Sequence, residues 1–71
     1  MEENKVEITQ KLCELLQMTR FGADIAKMDY VTENYDETVI VTFNNGYQKR
    51  INVTADSGRA MIADVVKYIG Y

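Results

Sequence analysis

Apolar residues recur along this chain with two different periods, and the change of period marks out its elements. Over residues 6–20 the spacing is helical: Ile8, Leu12, Leu15, Leu16 and Thr19 form one stripe, with Glu7, Lys11, Glu14 and Gln17 on the opposite side. Cys13 sits on the shoulder of that stripe and Met18 away from its centre. Gly22, just past Phe21, is the expected C-terminal stop.

The period then shortens to two. Residues 26–33, 38–43 and 47–54 each alternate, separated by the breakers Asn34-Tyr35-Asp36-Glu37 and Asn44-Asn45-Gly46. A two-residue Asn45-Gly46 loop would send Val39, Val41 and Phe43 to one face and Tyr47, Ile51 and Val53 to the other. A three-residue loop sets Phe43 opposite Tyr47 and gathers all six on one face, with Gly46 as the left-handed residue of a bulge. That register is the one predicted here. In the first hairpin, pairing Glu33 with Thr38 places Tyr30 opposite Val41 and Met28 opposite Phe43.

Helical spacing returns over residues 55–69, where Ile62, Val65, Val66 and Ile69 make the stripe, Gly58 and Met61 extend it backwards, and Gly70 ends it. The predicted fold is α+β: an α-β-β-β-α chain, a three-stranded antiparallel meander with two helices packed on one face, one domain over residues 1–71. The expected core is Ile8, Leu12, Leu15, Leu16, Met28, Tyr30, Val39, Val41, Phe43, Ile51, Val53, Ile62, Val65, Val66 and Ile69.

Composition narrows the function more than the fold. The chain has 71 residues, 46% hydrophobic and 27% charged, which suits a packed domain rather than a disordered one. It has no histidine, which removes the commonest general base, the commonest metal ligand and the usual activator of a Ser or Cys nucleophile. No catalytic residue, cofactor, metal site or small-molecule substrate is therefore expected. Eight basic residues against eleven acidic ones, net charge −3, count against nucleic-acid binding, which relies on cations meeting phosphates. No apolar run reaches the roughly 18–20 residues that cross a bilayer, and the acidic start Met1-Glu2-Glu3-Asn4 has no leader-like apolar stretch. With the single Cys13 these features predict a cytoplasmic protein.

Two surfaces merit a functional reading. The first is the sheet face that no helix covers, bearing Lys27, Asp29, Val31, Ile40, Thr42, Gln48 and Arg50 beside Glu33, Thr38 and Asn52. In the predicted register Val31 lies opposite Ile40, an apolar centre in a polar rim, suited to a protein partner or a dimer mate. Lys27 and Arg50 could form a basic strip there, although Lys49, adjacent to Arg50 on its strand, points the other way. The second is the turn before the last helix, where Ser57, Gly58 and Arg59 could hold an anion at a positive helix end. Asp56 already supplies negative charge there, and Thr54 or Asp56 is expected to cap the helix. Tyr35, Tyr47, Tyr68 and Tyr71 fall at turns and at the C-terminus, positions that suit a recognition surface but are expected to half-cover the edge of the core. The acidic set, Glu2, Glu3, Glu7, Glu14, Glu33, Asp36, Glu37, Asp56 and Asp64, is scattered.

The element order resembles the double-stranded-RNA-binding domain. That family places a lysine-rich segment where this chain reads Ala55-Asp56-Ser57-Gly58-Arg59, so no RNA-contacting residue carries over. The stretches "VTFNNGYQKRINV" and "ADSGRAMIADVV" resemble small proteins encoded by phages and integrative elements of Firmicutes. That likeness, over most of residues 26–69, implies an intracellular protein of mobile-element origin. The element order also resembles that of some small acidic anti-CRISPR proteins, which bind Cas nucleases by occupying DNA sites, a likeness of fold alone. The function expected is that of a non-enzymatic module acting by protein–protein contact. The alternatives are a nucleic-acid-associated protein and an acidic inhibitor of a nucleic-acid-binding protein.

Overall fold

The computed structural model of the chain describes residues 4–69. Glu2 and Glu3 of the acidic set, the expected stop Gly70, and Tyr71 lie outside the described residues. The elements run α1 (Lys5–Gln17), β1 (Ile25–Glu33), β2 (Asp36–Phe43), β3 (Gln48–Asn52) and α2 (Gly58–Ile69). The strands make one antiparallel sheet in the order β1-β2-β3, and side chains of both helices join the buried cluster on one of its faces. The α-β-β-β-α meander is the predicted architecture.

α1 starts where Asn4 Oδ1 accepts the N–H of Glu7 at 2.9 Å, satisfying an amide that the first turn leaves without an intrahelical partner. It ends at Gln17 with Met18 as C-cap, earlier than the spacing to residue 20 predicted. Gly22 is not the stop. It lies under the end of α1, where a Cβ would stand 2.3 Å from the carbonyl oxygen of Leu16. Close approach, not a left-handed turn, requires glycine there.

The second hairpin has the predicted register: Val39 pairs with Ile51, the Phe43 N–H donates to the Tyr47 carbonyl at 2.8 Å, and Gly46 turns the loop at φ +89°. The rings of Phe43 and Tyr47 stack with centroids 5.9 Å apart. The first hairpin is tighter than predicted. Glu33 pairs with Asp36 across a two-residue turn, Asn34 and Tyr35, at φ +50° and +71°. A turn with both central residues left-handed matches the twist of a hairpin, so it wins over a longer loop despite a tyrosine in the second position. The register moves by two residues, to Tyr30 opposite Val39 and Met28 opposite Val41, so every side chain keeps its predicted face. A bulge between Ile25 and Lys27 then turns both Ile25 and Met28 inward, although three positions separate them.

The core differs from expectation on the helices. α1 buries Thr9, Leu12 and Cys13, while Leu15 is 60% exposed. α2 buries Gly58, Met61 and Val65, while Ile62 is 37% exposed. Small or flexible side chains permit a close approach that the bulkier stripe would prevent. Thr9 is buried at little cost because its hydroxyl donates to the Lys5 carbonyl at 2.8 Å and lies 4.0 Å from the sulfur of Met61. Burial pushes the Cys13 thiol up, so it stays a neutral packing group.

Candidate functional site

Three places could do work. The first is the uncovered sheet face, where the pairing builds three parallel rows: Lys27–Thr42–Gln48, Asp29–Ile40–Arg50, and Val31–Thr38–Asn52. All seven predicted surface residues are thus brought together. Val31 is not opposite Ile40, because the two-residue slip of the first hairpin sets Val31 against Thr38 and Ile40 between Asp29 and Arg50. The two apolar side chains are diagonal neighbours. Lys27 and Arg50 share this face in adjacent rows, with Asp29 beside Lys27. Lys27 Nζ lies 3.8 Å from Asp29 Oδ2, and Lys49, on the inner face, donates to the Tyr68 carbonyl near the end of α2. That end carries the negative pole of the helix, where a cation is favourable.

The second place is a groove on the outside of the helical layer. Ile8, Leu12 and Leu15 from α1 and Ile62 from α2 line a volume of 280 Å³, with Lys11 as its charged neighbour. Lys11 Nζ lies 3.9 Å from Glu7 Oε2 in an exposed i,i+4 pair. The apolar spacing of the helices put these residues in the core; Leu12 reaches it and Ile8 packs against it, while Leu15 and Ile62 stay exposed and form the open side of the groove. Nothing in the local pattern separates the two outcomes, since neighbouring helix faces share Leu12.

The third place is the junction between β3 and α2. Glu37 lies two and four residues before Val39 and Val41, so the pleat turns its carboxylate to the inner face, where it needs partners. Lys5 Nζ donates to Glu37 Oε2 at 2.7 Å, Tyr30 Oη donates to the same oxygen, and the Ala55 N–H donates to Oε1 at 2.9 Å. The Glu37 N–H donates to Thr54 Oγ1 at 2.9 Å. These bonds to Lys5, Tyr30 and Ala55 hold the Glu37 carboxyl down at about 2. Burial, then the Glu37 contact, pushes the Tyr30 phenol up to about 12. A charge at an inward alternation position is the sequence signal for this cluster, and the breaker assigned to residues 34–37 hid it.

Beside that cluster, Asp56 Oδ2 is buried without a hydrogen-bond donor, and the Asp64 carboxyl faces Asp56. Two carboxylates can bond to each other only by sharing a proton, so the contact with Asp64, followed by burial, raises the Asp56 carboxyl above its ordinary range. The cap is neither Thr54 nor Asp56. Ser57 Oγ accepts the Ala60 N–H at 3.1 Å, and the Ser57 carbonyl accepts the Met61 N–H at 2.8 Å. Thr54 Oγ1 is taken up by the Glu37 N–H, and Ser57 is the side chain that reaches the first turn of α2. Of the predicted anion site, Gly58 is buried as the first residue of α2 and Arg59 is exposed on its surface.

Among the described residues no three His, Cys, Asp or Glu side chains come together as metal ligands would, and no helix is long and apolar enough to cross a membrane. Comparison with protein-family models, curated proteins and solved structures gives no match.

Proposed function

We propose that this protein is a small non-enzymatic interaction module that receives an apolar anchor of another protein in the groove between α1 and α2. The observation that supports it is the exposed aliphatic pair Leu15 and Ile62, set beside the partly buried Ile8 over a floor of Leu12, on a chain small enough to need its large side chains inside. At 280 Å³ the groove lies just below the roughly 300–1,000 Å³ of small-molecule sites, and Lys11 is its one side chain able to orient a polar ligand. It suits one or two aliphatic or aromatic side chains of an amphipathic helix, the helix-in-groove mode. What favours a protein over a nucleic acid is the charge arrangement: Lys27 sits beside Asp29, and Lys49 is turned to the inner face. What favours binding over catalysis is the lack of histidine and the engagement of Ser57 Oγ as a cap. Encoded by a mobile element, as the sequence resemblance implies, such a module would act in the cytoplasm on a host or element protein.

The test is selection of peptides from a random display library, with binding followed through the methyl resonances of the labelled protein. Selected peptides should carry an apolar anchor, shift Ile8, Leu12, Leu15 and Ile62, and bind Leu15→Glu about tenfold more weakly or worse. Peptides that shift other methyls, or no binders, would sink the reading.

A further inference from the structure

We propose that the uncovered sheet face binds a second copy of this chain, face to face, about a two-fold axis running along β2. This goes beyond the groove reading, since it uses the opposite side of the molecule and leaves both grooves outward.

The row Asp29–Ile40–Arg50 carries the inference. It places a carboxylate and a guanidinium symmetrically on either side of an aliphatic residue, one strand away on each side. Strands lie about 4.8 Å apart, so the two charges stand at equal distances from Ile40. A two-fold axis in the plane of contact and along β2 exchanges the left and right of the row. Asp29 then faces Arg50 of the second copy, Arg50 faces its Asp29, and Ile40 packs on Ile40. The interface is isologous, and each copy supplies both halves of two ion pairs.

Charge selects this axis over the other in-plane choice. A two-fold across the strands would set Asp29 on Asp29 and Arg50 on Arg50, four charges without a partner. The axis along β2 also sets Lys27 over Gln48 and Val31 over Asn52, with no like-charge contact in the three rows. Aligned sheets cross at about 30°, an offset that the long Arg50 side chain spans. The next row, Glu33–Asp36, brings carboxylates of both copies to the same end of the interface, a like-charge contact that keeps the dimer weak.

Among the described residues, Lys27 is the cation that competes for Asp29. The Lys27–Asp29 contact is long, 3.8 Å, and its side chains are 64% and 47% exposed, so it is worth little in water. The apolar centre is small: Ile40 is half-buried and Val31 is 42% exposed. The expected dimer is therefore weak and concentration-dependent, at the lower end of specific interfaces, with its selectivity in the ion pairs.

Sedimentation equilibrium over a concentration series tests it with two charge reversals, Asp29→Arg and Arg50→Asp. The native chain should rise with concentration from 8.2 kDa towards twice that mass. Each reversed variant alone sets like charges against each other in both pairs and should associate about tenfold more weakly or worse. An equal mixture of the two variants restores both pairs and should associate as the native chain does. So should the chain carrying both reversals. The recovery also proves that the variants fold. A native chain that stays monomeric overturns the proposal, as does association that the reversals leave unchanged. If association instead falls with Leu15→Glu, the copies meet through the helical groove; the sheet-face dimer is then wrong while the groove reading stands.

Discussion

Glu37 on β2 holds the backbone of Ala55, eighteen residues further on, by accepting its N–H at 2.9 Å, and Ala55 stands at φ +64°. A left-handed conformation costs an alanine roughly 1–2 kcal/mol, and a hydrogen bond to an ionised carboxylate is strong enough to offset it. The chain turns from β3 into α2 at that residue, so the carboxylate sets where the last helix begins.

Replacing Ala55 by Gly should therefore stabilise the protein by about 1 kcal/mol, since glycine adopts this conformation without a Cβ penalty. Tyr35→Gly, at φ +71° in an exposed turn, should do the same independently. Urea unfolding of the two single variants and the double variant checks both the gains and their additivity.

The junction should show opposing pH dependences. Glu37 ionises at about 2 in the folded chain instead of 4.5, so its contribution is complete above 4.5 and lost as the pH falls towards 2. Asp56 is raised above 3.8, so its contribution is complete below 3.8 and lost as the pH rises through its folded value. Tyr30, raised from 10 to about 12, contributes fully below 10 and loses that contribution between 10 and 12. Glu37→Gln should flatten the acid limb of stability against pH, and Asp56→Asn should remove the loss on raising it. Unfolding midpoints measured from pH 2 upwards would show a wrong assignment as unchanged limbs.

Met61→Ala should cost about 3 kcal/mol, because Met61 is fully buried against Thr9 and leaves a cavity. A 71-residue domain holds only about 4–10 kcal/mol in all, so this variant should be close to unfolding at physiological temperature. The adjacent Ile62→Ala should cost less than about 1 kcal/mol, since Ile62 is 37% exposed. Equal losses would mean that α2 is rotated from the orientation described.

Gly22→Ala should destabilise by about 1–3 kcal/mol, since its Cβ would meet backbone, the Leu16 carbonyl, rather than a side chain able to move. Thermal denaturation beside Gly46→Ala separates the causes. At Gly46 the space is open and the left-handed φ alone is at stake, so a loss of about 1–2 kcal/mol is expected there.

The α-β-β-β-α order, the sheet faces and the second hairpin are determined by sequence alone. Alternation has a period of two, so a slip of two residues in the first hairpin left every side chain on its predicted face. Gly46 fixed the second loop because it takes a left-handed φ without a Cβ penalty. Which stripe of each helix goes inward was decided by the tertiary structure. On α1, Thr9 and Cys13 lie one face away from Leu15, and hydrophobicity alone chooses the leucine. Packing chose the smaller pair, because they bring helix and sheet closer, and left the leucine lining a groove. The rows on the sheet and the cradle around Glu37 are likewise tertiary: each joins residues distant along the chain, and a pairing register or a closing helix, not local spacing, sets which of them meet.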